Sequence, residues 1–124
     1  MGMCYYAEIT FRVWKGREDG LRRTMTEFLQ THNFSKADAA RLEGMDFEDF
    51  VNESMRLLFP YSCRQDDGKK HFFFTAEFNA SYGWESLMCE AFEIMAPFLR
   101  DGSSLGIWPD SGHYWLRTRD GKVA

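Results

Sequence analysis

From Lys70 to Asn79 apolar and polar positions alternate. Phe72, Phe74, Ala76 and Phe78 fall on one side of an extended chain and Phe73, Thr75, Glu77 and Asn79 on the other, which is the period of two expected of a half-buried strand. The period then changes. Trp84, Leu87, Met88, Ala91, Ile94, Met95 and Phe98 recur at spacings of three and four and predict a helix with one apolar stripe, with Glu85, Cys89 and Glu93 mostly on the other side. Ser81 is placed to cap its start, Glu85 suits the positive end of the dipole, and Asp101-Gly102 supplies a stop. Two strands follow, Ser103 to Trp108 and His113 to Arg119, joined by the turn Pro109-Asp110-Ser111-Gly112. With Trp108 opposite His113, the pairs Ile107 with Tyr114 and Leu105 with Leu116 share a face, because directly opposed residues do.

The same two periods organise the first half of the chain. Tyr5, Ala7, Ile9, Phe11 and Val13 alternate with Tyr6, Glu8, Thr10, Arg12 and Trp14, predicting an opening strand that Lys15-Gly16 ends. Leu21, Met25, Phe28, Leu29 and His32 form a helical stripe between Arg17 and Thr31, with Glu18 and Asp19 at the favourable end and His32 in the last turn. Ser35 with Asp38 resembles a capping box and opens a short helix to Glu43, which Gly44 stops. Asp46 with Asp49 repeats the start signal, and Phe47, Phe50, Val51, Ser54, Met55 and Leu58 give a third helix its buried face before Pro60. Tyr61 to Gln65, a turn at Asp66-Asp67-Gly68 and the strand from Lys69 onward read as a hairpin.

In order, the elements are one strand, a helix with a two-helix insertion over about 35–59, two strands, a helix and two strands. This predicts a single α+β domain over residues 1–124 with its helices on one face of an antiparallel sheet. Setting aside the insertion and an extra C-terminal edge strand, the order is the split βαβ arrangement called ferredoxin-like, with expected spatial order 5-4-1-3-2. The fold licenses no function by itself.

Composition adds constraints. A chain of 124 residues buries roughly two-thirds of its unfolded surface, and twelve Phe residues let a few large rings fill the core. The three cysteines, Cys4, Cys63 and Cys89, are too scattered for a disulfide framework or a CxxC site. No leader-like or membrane-length apolar run is seen, so a cytoplasmic protein is expected. The net charge of −4 argues against indiscriminate binding to nucleic acid or anionic membrane.

Phosphate loops, dinucleotide fingerprints, HExxH and GxSxG are absent from the sequence, so no cofactor, metal or catalytic residue is assigned. One carboxylate pair invites a catalytic reading. If the first and third strands are neighbours, Glu8 and Glu77 point to the same open sheet face, as the acid/base pair of a small hydrolase or isomerase would; Arg12 and Arg117 on that face make surface ion pairs the plainer explanation. The Ala40 to Gly44 spacing resembles a helix-turn-helix corner, but the following helix carries Asp46, Glu48, Asp49 and Glu53 against Arg56, the wrong charge for approaching phosphates.

The expected contact surface is the open sheet face, with Tyr6, Thr10, Arg12, Phe73, Trp108, Trp115 and Arg117 as its residues and Gly106 opposite Trp115. Aromatics on the first and third strands also suggest stacking of single-stranded nucleic acid, although acidity disfavours it. The leading expectation is a non-catalytic protein–protein interaction module whose partner is another protein or a second copy of itself. A sharper form is a small acidic inhibitor of a nucleic-acid-binding enzyme, acting through Asp46, Glu48, Asp49 and Glu53.

Overall fold

The computed structural model describes residues 2–32, 34, 36–66, 68–69, 71–110 and 112–124, with Lys36, Ala37 and Ala39 described by backbone alone. The chain runs β1 (Met3–Phe11), α1 (Glu18–Thr31), α2 (Lys36–Leu42), α3 (Phe47–Leu58), β2 (Cys63–Arg64), β3 (Phe72–Ala80), α4 (Gly83–Met95), a 3-10 turn (Ala96–Phe98), β4 (Ser104–Trp108), β5 (Tyr114–Arg119) and β6 (Lys122–Val123). It is an α+β protein built on an antiparallel sheet in the order β2-β3-β1-β4-β5-β6.

The expected five-strand order 5-4-1-3-2 is not matched, because a sixth strand extends the sheet beyond β5. Asp120 and Gly121 both have positive φ, 53° and 75°, and join the pairs Thr118 with Val123 and Arg119 with Lys122. That is the tight two-residue hairpin turn favoured by Asp-Gly. At the opposite edge the expected strand over Tyr61 to Gln65 shrinks to Cys63 and Arg64, since Tyr61 takes a left-handed φ of 61°. β3 starts at Phe72; Lys70 and the turn residue Asp67 lie outside the described residues, as do Ser35 and Ser111.

The side-chain parity of the strands decides the layering. Tyr5, Ala7, Ile9 and Phe11 of β1, Phe74, Ala76 and Phe78 of β3, and Leu105 and Ile107 of β4 are buried in one core with Leu21, Met25 and Leu29 of α1, Phe50, Met55 and Leu58 of α3, and Met88, Ala91 and Phe92 of α4. All four helices of the described residues therefore belong to one layer. β1 stops at Phe11 rather than running through Val13, which forms only an isolated antiparallel bridge to Leu99.

Two expected helix features differ. Ser81 does not cap α4 with its side chain; its carbonyl accepts the Trp84 N–H at 3.0 Å, and Tyr82 occupies the cap position without a side-chain bond. Phe92, absent from the predicted stripe, is fully buried, whereas Phe98 sits in the 3-10 turn that Pro97 imposes. By contrast Asp46 caps α3 as expected, its Oδ1 accepting the Asp49 N–H at 2.8 Å. The Arg22 guanidinium ties α1 to the corner between α2 and α3 by donating to the Leu42 and Met45 carbonyls and lying 4.9 Å from the Phe50 ring centre.

Candidate functional site on the open sheet face

The alternate residues of the central strands point away from the helices and fall into three rows across the sheet. Glu77, Tyr6 and Trp108 form the first; Thr75, Glu8, Gly106 and Trp115 the second; Phe73, Thr10, Ser104 and Arg117 the third. The register thus places Tyr6, Thr10, Phe73, Trp108, Trp115 and Arg117 on one face, with Arg12 just past the end of β1.

The rings are in contact rather than merely co-facial. Tyr6 meets Trp108 edge to face at 5.3 Å between centroids, and Trp108 meets Trp115 in the same way at 5.2 Å. His113, which the sequence reading did not count among the contact residues, stacks on Trp108 at 5.5 Å and 13°. Its position opposite Trp108 in the predicted hairpin was the available cue. The Arg117 guanidinium lies 5.5 Å from the Trp115 ring centre, a cation–π approach at the rim. Phe73 stands apart from this row, its nearest ring being His71 at 6.3 Å. Trp115 is 38% exposed, and Tyr6, Phe73 and Trp108 are half-buried.

Glycine makes the row possible. A side chain at Gly106 would collide with both indoles, so the absence of one lets Trp115 lie flat across β4 against Trp108.

Glu8 and Glu77 share this face on neighbouring strands but not a cross-strand pair: Glu8 is opposite Thr75 and Glu77 is opposite Tyr6. The Tyr6 hydroxyl donates to Glu8 Oε1 at 2.7 Å. That bond, then burial and the nearby carboxylates, pushes the Tyr6 pKa up to about 12, so the phenol stays protonated and holds the Glu8 carboxylate against the sheet. No group of three or more His, Cys, Asp or Glu among the described residues could hold a metal ion.

The acidic residues of α3 are on the helical layer, away from the ring row. Glu48 is held by Arg64 at 2.6 Å, Glu53 by Arg41 and Arg56 at 3.3 Å each, and Asp46 serves as the helix cap. Asp49 is exposed and its carboxylate has no ion pair among the described residues. The structure thus brings Tyr6, Trp108, Trp115 and Arg117 together, leaves Thr10, Phe73 and Arg12 towards the other end of the face, and keeps the acidic set as a separate, mostly paired cluster.

Among the described residues no helix is long and apolar enough to cross a membrane. Comparisons with protein-family models, with curated proteins and with solved structures find no match to this chain.

Proposed function

We propose that this protein is a non-catalytic protein–protein interaction module whose partner protein docks on the open sheet face. The observation that carries the reading is the contiguous row Tyr6, Trp108 and Trp115 on the side of the sheet away from the helices. Packed aromatic anchors rimmed by Arg117 are the composition that interface centres favour, and rigid rings lose little conformational freedom on docking. The framework behind them is read as ferredoxin-like because β1 lies between β3 and β4. Three free thiols, two of them exposed, support a reducing, cytoplasmic setting.

The sheet face is favoured over the acidic helix as the contact. A carboxylate already held by an arginine must give up that partner before it can engage a basic surface, and both Glu48 and Glu53 are so held. The reading as an inhibitor of a nucleic-acid-binding enzyme therefore rests on the chain's net charge of −4 rather than on α3. The hydrolase reading draws its support only from the shared face of Glu8 and Glu77.

The test is site-specific photocrosslinking in the native cell, with a benzophenone side chain at Phe73, on the same sheet face as the ring row, and a control at Arg23 on the exposed side of α1. A discrete protein adduct from Phe73, absent from Arg23 and lost when Trp115 is changed to Ala, is the expected result. An adduct of twice the chain's mass identifies a second copy as the partner. No protein adduct at Phe73, or the same adducts from both positions, overturns the reading.

A further inference from the structure

Five of the fifteen Lys and Arg residues of this acidic chain line one cleft. Where β1 ends, Arg12, Lys15, Arg64, Lys69, His71 and Arg100 line a cleft of about 460 Å³ between the start of α1, the start of α3 and the β2–β3 edge. Two carboxylates, Glu18 and Glu48, line it as well, and each has a partner: Glu48 takes Arg64 at 2.6 Å, and Glu18 Oε2 accepts the Gly16 N–H at 3.0 Å. Arg12, Lys15 and Arg100 have no carboxylate within ion-pairing distance among the described residues.

Arg12 and Arg100 are the more telling pair. The Val13–Leu99 bridge is antiparallel, and the Arg100 N–H donates to the Arg12 carbonyl at 2.8 Å, so the two arginines stand directly opposite each other. Like charges so placed repel. Arg100 is partly accommodated by the Trp14 ring, 4.8 Å from its guanidinium; Arg12 has no such ring. Both also line a smaller adjoining cleft with Ser103 and with Asp101, whose Oδ1 accepts the Asp120 N–H at 2.9 Å. A local conflict of this kind is expected at a site that an external group completes.

We infer that this cleft binds a small phosphate-bearing molecule, with the Arg12–Arg100 pair clamping the phosphate and Lys15 adding charge. Two guanidinium forks lining one cleft from paired backbone positions suit tetrahedral oxygens, which accept paired hydrogen bonds from each. Phe72 and Phe47, edge to face at 6.1 Å, form an apolar wall of the same cleft, so the ligand carries an apolar or ring portion beside its charged end. The cleft volume lies in the range of small-molecule sites. This inference is independent of the ring row, which lies along the sheet from the cleft.

Calorimetric titration of the full chain at low salt with inorganic pyrophosphate and with adenosine monophosphate tests it. Saturable one-to-one binding is expected, weakened about tenfold or more in Arg12→Gln and in Arg100→Gln, and unchanged in Arg23→Gln and in Arg119→Gln, both exposed and outside the cleft. Pyrophosphate is expected to raise the melting temperature of the unmodified chain, a measurement that needs no variant to fold, and Arg100→Lys keeps the charge while removing the fork. Absence of saturable binding overturns the inference, as does unaltered affinity in both Gln variants. Citrate binding more tightly than pyrophosphate overturns the phosphate assignment in favour of a polycarboxylate, and binding confined to single-stranded oligonucleotides overturns it in favour of nucleic acid.

Discussion

Gly106 stands directly opposite Trp115 in the β4–β5 pair, and the indole occupies the space a side chain would need: a Cβ at Gly106 would lie 2.7 Å from Trp115 Cζ3 and 2.9 Å from Trp108 Cζ3. Both obstructing groups are stiff rings already in contact with each other, so neither yields without breaking the row. Gly106→Ala is expected to destabilise the fold by about 1–3 kcal/mol, as overpacking does, and to change the near-ultraviolet circular dichroism of the tryptophans. Adding Trp115→Ala should recover most of the loss, because the clash goes with the indole. Equal stability of Gly106→Ala and the unmodified chain in urea would show that the indole does not lie across β4.

The Tyr6–Glu8 bond makes a prediction about alkaline pH. The Tyr6 phenol is raised to about 12, against about 10 in an unfolded chain. Tyr5 and Tyr114 are raised as well, burial being the first cause in each. A raised acid holds its proton longer in the folded state, so these groups contribute full stability below pH 10 and lose it as pH climbs through the folded pKa. Urea midpoints are expected to be flat on this account up to about pH 10 and to fall between about pH 10 and 12. Tyr6→Phe should flatten part of that fall, and Glu8→Gln should bring the Tyr6 titration, read from tyrosinate absorbance, back towards its ordinary value.

The carboxylates of α3 differ in role although they look alike in sequence. Asp46 accepts the Asp49 N–H at 2.8 Å, satisfying one of the helix's otherwise unpaired donors. Asp46→Ala is expected to cost about 1 kcal/mol, Asp46→Asn much less, and Asp49→Ala, which removes only a favourable charge near the helix start, about 0.5 kcal/mol. Thermal or urea unfolding of the three variants checks the ranking. If Asp49→Ala proves the more costly of the two alanine variants, the cap is misassigned.

The parts of the fold that could be read in advance were those where one local rule settles the answer. Alternation in β1 and β3 fixes which residues face the helices, and the β4–β5 turn fixes Gly106 against Trp115; both depend on neighbours in sequence or on a short hairpin. The parts that could not be read depend on partners far along the chain. Phe92 is an exception: four residues after Met88 and three before Met95, it lies on the same helical face as both, so the spacing already marked it as core. The strand over Tyr61 to Gln65 had the right residue types, but an edge strand gains little from them, and the left-handed backbone at Tyr61 keeps it from starting there.

The same division holds for the candidate sites. The ring row was visible because it lies on strands whose parity was known. The cationic cleft was hidden: Arg12, Arg64 and Arg100 come from three separate stretches of chain, and a net charge of −4 averages over them. Only the bridge between Val13 and Leu99 sets two of them face to face.

Adjacent residues of β3 give the most direct check on the layering. Phe73 and Phe74 are neighbours of identical chemistry, yet Phe74 is 3% exposed beneath the helices, whereas Phe73 is half-buried on the other side beside Thr10. Truncating Phe74 leaves a cavity that close-packed neighbours cannot fill, and Phe74→Ala is expected to cost about 3–5 kcal/mol. Truncating Phe73 returns a partly wetted site to solvent, and Phe73→Ala is expected to cost about 1 kcal/mol or less. Urea unfolding of the two variants, with equal slopes confirming a common unfolded state, measures the difference. A single-residue slip of β3 against β1 would exchange the two values, so finding Phe73 the costlier site would invert the sheet and remove the ring row from the surface altogether.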